Sequence, residues 1–286
     1  MKDSFSKLHP SILILYFLCQ ILLTALCFHP VTLLISLCTA FLYIGFCISF
    51  KRALLWGVAA TVYIICFGLI NPLINHQGET VLFYFLHREI TLQSICFGVL
   101  TGAMLSSVCM WLYIMSKTLN SQKWAYLFNG GLPTITLMLF ITARLIRRYT
   151  CKFKEITEAR KGMFPNEKPF KRTFFSLETL LTFALENGVD TADAMTAKGY
   201  GLSKPTAYYS YPVTLKDIVA AVVMLPALIL TVYGIAMGVC KMYFFPAFFV
   251  ETQNNAVFAA YLLFCIYPLI TYFWSNIKWT LIKLKV

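Results

Sequence analysis

The chain has 286 residues, of which 59% are hydrophobic, 16% aromatic and only 13% charged, with a formal net charge of +12 and a mean hydropathy of +0.72. This balance excludes an ordinary soluble globular domain and marks an integral membrane protein. The positive charge reads as membrane topology and contact with anionic lipid, with no nucleic-acid footprint.

Crossing the hydrocarbon core takes about 20 mostly apolar residues, and six stretches qualify as expected spans. The first two, Ser11–Phe28 and Val31–Phe50, carry no charge and are separated by His29-Pro30. The basic leader of Lys2 and Lys7 is followed by a long apolar run without an A-x-A-like site, so the first stretch is read as a retained helix. Ala53–Ile74 and Thr91–Met115 follow, and Ile218–Gly238 and Ala256–Trp274 lie near the end. The expected fold class is all-α: a polytopic membrane protein of about six transmembrane helices with long amphipathic cytoplasmic helices. Its regions are 1–116 with four spans, 117–215 in the cytoplasm, and 216–286 with two spans.

Basic residues set the orientation. With both termini in the cytoplasm, only Arg88 and Lys241 of the 24 lysines and arginines fall outside, as the positive-inside rule requires. The ten cysteines form no C-x-x-C pair and sit mainly within apolar spans, where they read as small hydrophobes. His9, His29, His76 and His87 lie at span ends and loops and read as interfacial polar residues.

The middle region holds most of the charge. Asn129-Gly130-Gly131 reads as a turn, and Pro133 suits the first position of a long helix reaching Gly162. Its apolar stripe is expected at Ile135, Leu139, Thr142, Ile146, Tyr149, Phe153 and Ile156, with Arg144, Arg147, Arg148, Cys151, Glu155 and Glu158 largely off it. A linker from Met163 to Thr173 contains two prolines. The second helix places Leu177, Leu180, Leu181, Ala184, Leu185, Gly188, Ala192 and Met195 on one stripe, with a kink or split expected at Asn187-Gly188. Gly199 and Gly201 end it, with Pro205 beyond.

The chemistry of this region is defined by what it lacks. There is no G-x-x-x-x-G-K-[ST] loop, no H-E-x-x-H, no G-x-S-x-G and no acidic metal cluster. All twelve acidic residues fall outside the six expected spans, whereas ion-driven transporters usually keep an ionisable group inside the membrane. No catalytic residue, cofactor or metal site is expected.

Two segments carry a resemblance. "EARKG" (Glu158–Gly162) and "ENGVDTADAMTAKGYG" (Glu186–Gly201) resemble the coupling motifs of the transmembrane T component of energy-coupling factor (ECF) transporters. In that family two cytoplasmic coupling helices each end in an Ala-Arg-Gly-type motif, the second commonly AM-x-ARGYG after ENxxxTAD. The match covers sixteen positions except the central arginine, here Lys198. The spacing of the two motifs and their placement between membrane spans also agree.

The resemblance implies a scaffold in a prokaryotic plasma membrane that couples two ABC-type ATPases to a membrane substrate-binding S component for micronutrient uptake. Arg160 and Lys198 would enter grooves of the two ATPases, and Ala159, Gly162, Ala197 and Gly199 would allow close backbone approach. "ARKG" also leaves Lys161 eligible as the first tip, and Lys198 lacks the planar fork of arginine. The apolar stripes would either pack on each other or hold the S component. Different readings are a membrane-embedded enzyme gripping phosphorylated lipid through Arg144, Arg147 and Arg148, or a stand-alone carrier or channel.

Overall fold

Two histidine–proline pairs decide where the first helices begin. In a computed structural model, which describes residues 5–75, 80–85, 88–129, 133–202, 211–240, 242–243, 249–250 and 255–285, α1 spans Pro10–Leu26 and α2 spans Pro30–Tyr43. Each has proline in its first turn, where the missing N–H has no helical partner to lose. The imidazole Nδ1 of His9 accepts from the Ser11 amide at 3.3 Å, and that of His29 from the Val31 amide at 3.3 Å. These histidines are therefore N-caps. His76, His87, Gly130, Gly131, Pro205 and Lys241 lie outside the described residues.

Helix α2 continues as a π turn over Ile44–Ile48, followed by α3 at Phe50–Ile74, α4 at Leu92–Thr118 and α5 at Ser121–Asn129. After α6 (Pro133–Met163) and α7 (Pro169–Ala197) come α8 at Leu215–Ala236 and α9 at Asn255–Lys285. Two short antiparallel pairs, β1 (Val81–Phe85) with β2 (Arg88–Thr91) and β3 (Met242–Tyr243) with β4 (Phe249–Val250), occupy connecting segments. The protein is an all-α polytopic membrane protein in class.

The six expected spans differ in length. Among the described residues five helices are long and apolar enough to cross a membrane: Pro30–Ile48, α3, α4, α8 and Asn255–Ile277 of α9. Helix α1 has 17 residues, about 26 Å at 1.5 Å per residue, against a hydrocarbon core of about 30 Å. It is the shorter apolar helix of the set.

One correction concerns the acids. Helix α8 begins three residues before its expected span, which brings Asp217 into its first turn. The buried carboxylate accepts from the Thr214 amide and hydroxyl, each at 2.7 Å, and from the His9 amide at 2.7 Å. It is a capping-box residue that fastens the start of α8 to the start of α1.

The described residues fall into two compact units, Met1–Lys123 with Tyr211–Val286, and Trp124–Ser210. In the first, α4 packs most extensively on α3. Gly98 and Gly102 make this possible: an added Cβ would lie 2.5 Å from the Phe67 carbonyl oxygen at one and 2.8 Å from the Ile64 Cα at the other. Small residues four apart let membrane helices approach closely. Phe5, Tyr16, Phe17, Trp111 and Phe264 form an aromatic centre.

Several polar groups inside this bundle pair with one another, as a bilayer-spanning structure demands. Thr24 Oγ1 lies 3.3 Å from Ser36 Oγ and 3.1 Å from Tyr261 Oη, and Trp111 Nε1 donates to Ser36 Oγ at 3.0 Å. Gln20 Nε2 reaches Cys265 Sγ at 3.1 Å. Buried Lys123 donates to the Thr118 carbonyl at 3.0 Å and to the Ser6 carbonyl. Its cation thus closes the C-terminus of α4 and holds the N-terminal turn, while burial lowers its pKa.

Candidate partner-binding hairpin

The second unit is built on an antiparallel helical hairpin. Proline starts both helices, at Pro133 and Pro169, and the turn between them contains Pro165. Register is set by Tyr149 Oη donating to the Ala184 carbonyl at 3.4 Å and Arg148 donating to Asn187 Oδ1 at 3.1 Å. Arg148 and Lys152 also stand over the Phe183 ring, at 5.9 and 5.6 Å from its centroid. Arg148, expected off the packing stripe, therefore faces α7.

The expected stripes are corrected here. On α6 the half-buried face runs through Leu145, Tyr149, Phe153, Ile156 and Arg160, while Ile135, Leu139, Thr142 and Ile146 are exposed. On α7 it runs through Phe175, Ser176, Leu180, Phe183, Ala184, Asn187, Thr191 and Met195. Leu177, Leu181 (62% exposed) and Leu185 (66%) lie on a second apolar face, with Phe174 and Val189. The 3.6-residue period locates apolar faces without saying which one meets the neighbouring helix. Helix α7 is also continuous through Gly188, whose surroundings are open. With intrahelical hydrogen bonds on both sides, one glycine weakens the helix without breaking it.

At the turn, Arg160 is engaged within the hairpin. Its Nε donates to Glu167 Oε2 at 2.8 Å and its Nη2 donates to Glu167 Oε1 at 3.1 Å. The guanidinium lies 4.4 Å from the Phe175 ring centroid and 5.4 Å from that of Phe164. This is the planar, bidentate use of arginine that lysine cannot reproduce. The hydrogen bond to Arg160 holds the Glu167 carboxyl below its ordinary range, and the same bond raises the guanidinium. Neither Glu167 nor Phe175 carries a periodic or motif signal; only Glu167's place in a Pro-bounded linker after a basic helix end hints at its role.

Lys161, one residue on, is exposed, as are Ala159 and Gly162, and an added Cβ at Gly162 would meet open space. Among the described residues the Lys161 side chain has no hydrogen-bond or ion-pair partner. The structure thus separates the two cations of "ARKG": one is tied down and one is offered outward.

At the other end, α7 stops in a Schellman motif. Gly199 adopts φ +84°, its amide donates to the Thr196 carbonyl at 2.9 Å, and the Tyr200 amide reaches the Met195 carbonyl at 3.0 Å. Gly201 follows with φ +92°. Lys198 is the C-cap, its amide on the Ala194 carbonyl at 3.2 Å and its side chain exposed, without a hydrogen-bond or ion-pair partner among the described residues; Ala197 beside it is exposed and Gly199 half-buried. Since the hairpin is antiparallel, the Arg160–Lys161 end and the Lys198 end are opposite ends. The stretch from Phe175, beside Arg160, to Lys198 spans about 35 Å at 1.5 Å per residue.

In comparisons with known proteins, no protein-family model matches the chain, and no curated protein matches it.

Proposed function

We propose that this chain is the T component of an ECF-type importer, a scaffold that couples two ABC-type ATPases to an S component. The observation that carries the reading is the placement of Lys161 and Lys198, two exposed cations on glycine-bearing helix ends at opposite ends of one hairpin. Two separated basic tips suit two separate grooves. The resemblance of Glu186–Gly201 to the second coupling motif points the same way.

In this reading Lys161 makes the first ATPase contact and Arg160 braces the turn that presents it. Ala159, Gly162 and Ala197 leave the backbone open to a partner surface, and Gly199 fixes the direction in which Lys198 projects. The second apolar face of α7, along Phe174, Leu177, Leu181 and Leu185, is the surface offered to the S component. ATP-driven closure of the ATPases moves the two tips, and the helices carry that displacement to the S component. The chain lies in a prokaryotic plasma membrane with both termini inside.

The test is purification of the tagged chain in mild detergent from its native host, with mass-spectrometric identification of bound subunits. Two Walker-motif ATPase subunits, or two copies of one, are the expected companions. A chain recovered without any ATPase overturns the reading.

A further inference from the structure

Two cysteines far apart in sequence meet at one end of the helix bundle. Cys27 is the C-cap of α1, with its amide on the Leu23 carbonyl at 2.9 Å and its own carbonyl accepting from Thr32 Oγ1 at 3.2 Å. Cys240 follows the end of α8, which closes on Gly238 (φ +81°) with the Val239 amide on the Gly234 carbonyl at 3.0 Å. Cys27 and the residue before Cys240 are therefore held by helix-terminal hydrogen bonds. Both side chains are 1% exposed, and with Val239 and Val257 they form a single buried cluster packed by Ile235. Both thiols thus lie in the same small apolar cluster, closed off from solvent.

We infer that Cys27 and Cys240 form a disulfide in the mature protein, linking the α1–α2 turn to the segment after α8. A disulfide needs two sulfurs able to close to about 2.05 Å on backbones that do not have to move far, and two cysteines packed into one buried cluster at two helix ends meet that need. The compartment argument rests on the orientation in the proposed function. Lys51-Arg52, Lys117 and the basic middle region stay in the cytoplasm, so the ends of α1 and α8 face the oxidising side.

The chemistry is thiol–disulfide exchange with a disulfide-carrying oxidoreductase. One cysteine thiolate attacks the donor's disulfide, giving a mixed disulfide and one donor thiol. The second cysteine then displaces the other donor sulfur. Cys27 and Cys240 together lose two electrons and two protons, and the donor disulfide gains both to become a dithiol. Because the pair is buried in the finished fold, exchange precedes the packing of α9 against it through Val257.

The experiment blocks free thiols with iodoacetamide in denaturant at lysis, reduces the protein, labels it with N-ethylmaleimide and reads each site by mass spectrometry. Cys27 and Cys240 are expected to carry N-ethylmaleimide, while exposed Cys38, Cys66 and Cys151 carry iodoacetamide. In Cys27→Ser, Cys240 is expected to switch to iodoacetamide, and Cys240→Ser does the converse. Iodoacetamide on both in the unsubstituted protein overturns the pairing. A C-terminal topology reporter separates the two ways to fail. Free thiols with a cytoplasmic C-terminus refute the disulfide alone, whereas free thiols with an external C-terminus refute the orientation as well.

Discussion

Arg160 and Glu167 close the turn of the α6–α7 hairpin through two parallel hydrogen bonds, at 2.8 and 3.1 Å. A residue that the motif alone offers as a partner contact is thereby a structural clasp. Its substitution should act on the hairpin before it acts on any partner.

Replacing Arg160 with Lys removes the bidentate geometry and the stacking on Phe175 while keeping the charge. Faster hydrogen exchange is expected across 160–175, with helix α8 unaffected. Acid should have the same effect on the unsubstituted protein. The folded Glu167 carboxyl sits below its ordinary value, so its contribution is full above the usual glutamate range. It is lost as pH falls through the lowered folded value. Glu167→Gln should abolish that acid dependence; exchange at the turn that stays acid-sensitive in this variant would contradict the clasp.

Gly199 and Gly162 look alike in the two motifs but should respond differently. Gly199 has φ +84°, so Gly199→Ala strains the Schellman end by about 1 kcal/mol and frays the last turn of α7. Gly162 lies in helix α6 with open surroundings, so Gly162→Ala should leave the hairpin intact or stabilise it by up to about 1 kcal/mol. Gly162→Leu is then expected to weaken ATPase binding without altering helix content by circular dichroism. Equal destabilisation by the two alanine substitutions would count against this division.

The α3–α4 contact should be the least tolerant place in the bundle. Gly102→Val would put side-chain atoms on the Ile64 backbone, where even a Cβ sits at 2.8 Å, at an expected cost of about 1–3 kcal/mol. Gly188→Ala, in open space, serves as the control. Detergent-solubilised thermal stability measures both, and a Gly102→Val protein as stable as the control would mean that α3 and α4 are not packed this closely.

Much of the fold was legible because lipid imposes a strong signal: apolar runs must become helices, and five of the expected spans appear as helices of crossing length. Pro133 and the glycines after Lys198 marked real helix ends because their backbone chemistry is local. What escaped the sequence was pairwise and long-range. Asp217 serving His9, Lys123 serving Thr118 and Ser6, and Glu167 holding Arg160 depend on which backbones meet, and no periodicity encodes that. The stripe on α7 shows the same limit from the other side, since Leu181 and Leu185 were legible as an apolar face and yet face away from α6.

The most direct test of the coupling role is Lys161→Glu combined with Lys198→Glu, which reverses both offered cations and leaves Arg160–Glu167 in place. Truncating an interface hot spot costs about 2 kcal/mol or more, and reversing charge at two tips should exceed that. The account predicts that the double variant inserts in the membrane with wild-type helix content but purifies without the ATPases. ATPase recovered with the double variant at the unsubstituted level would contradict it.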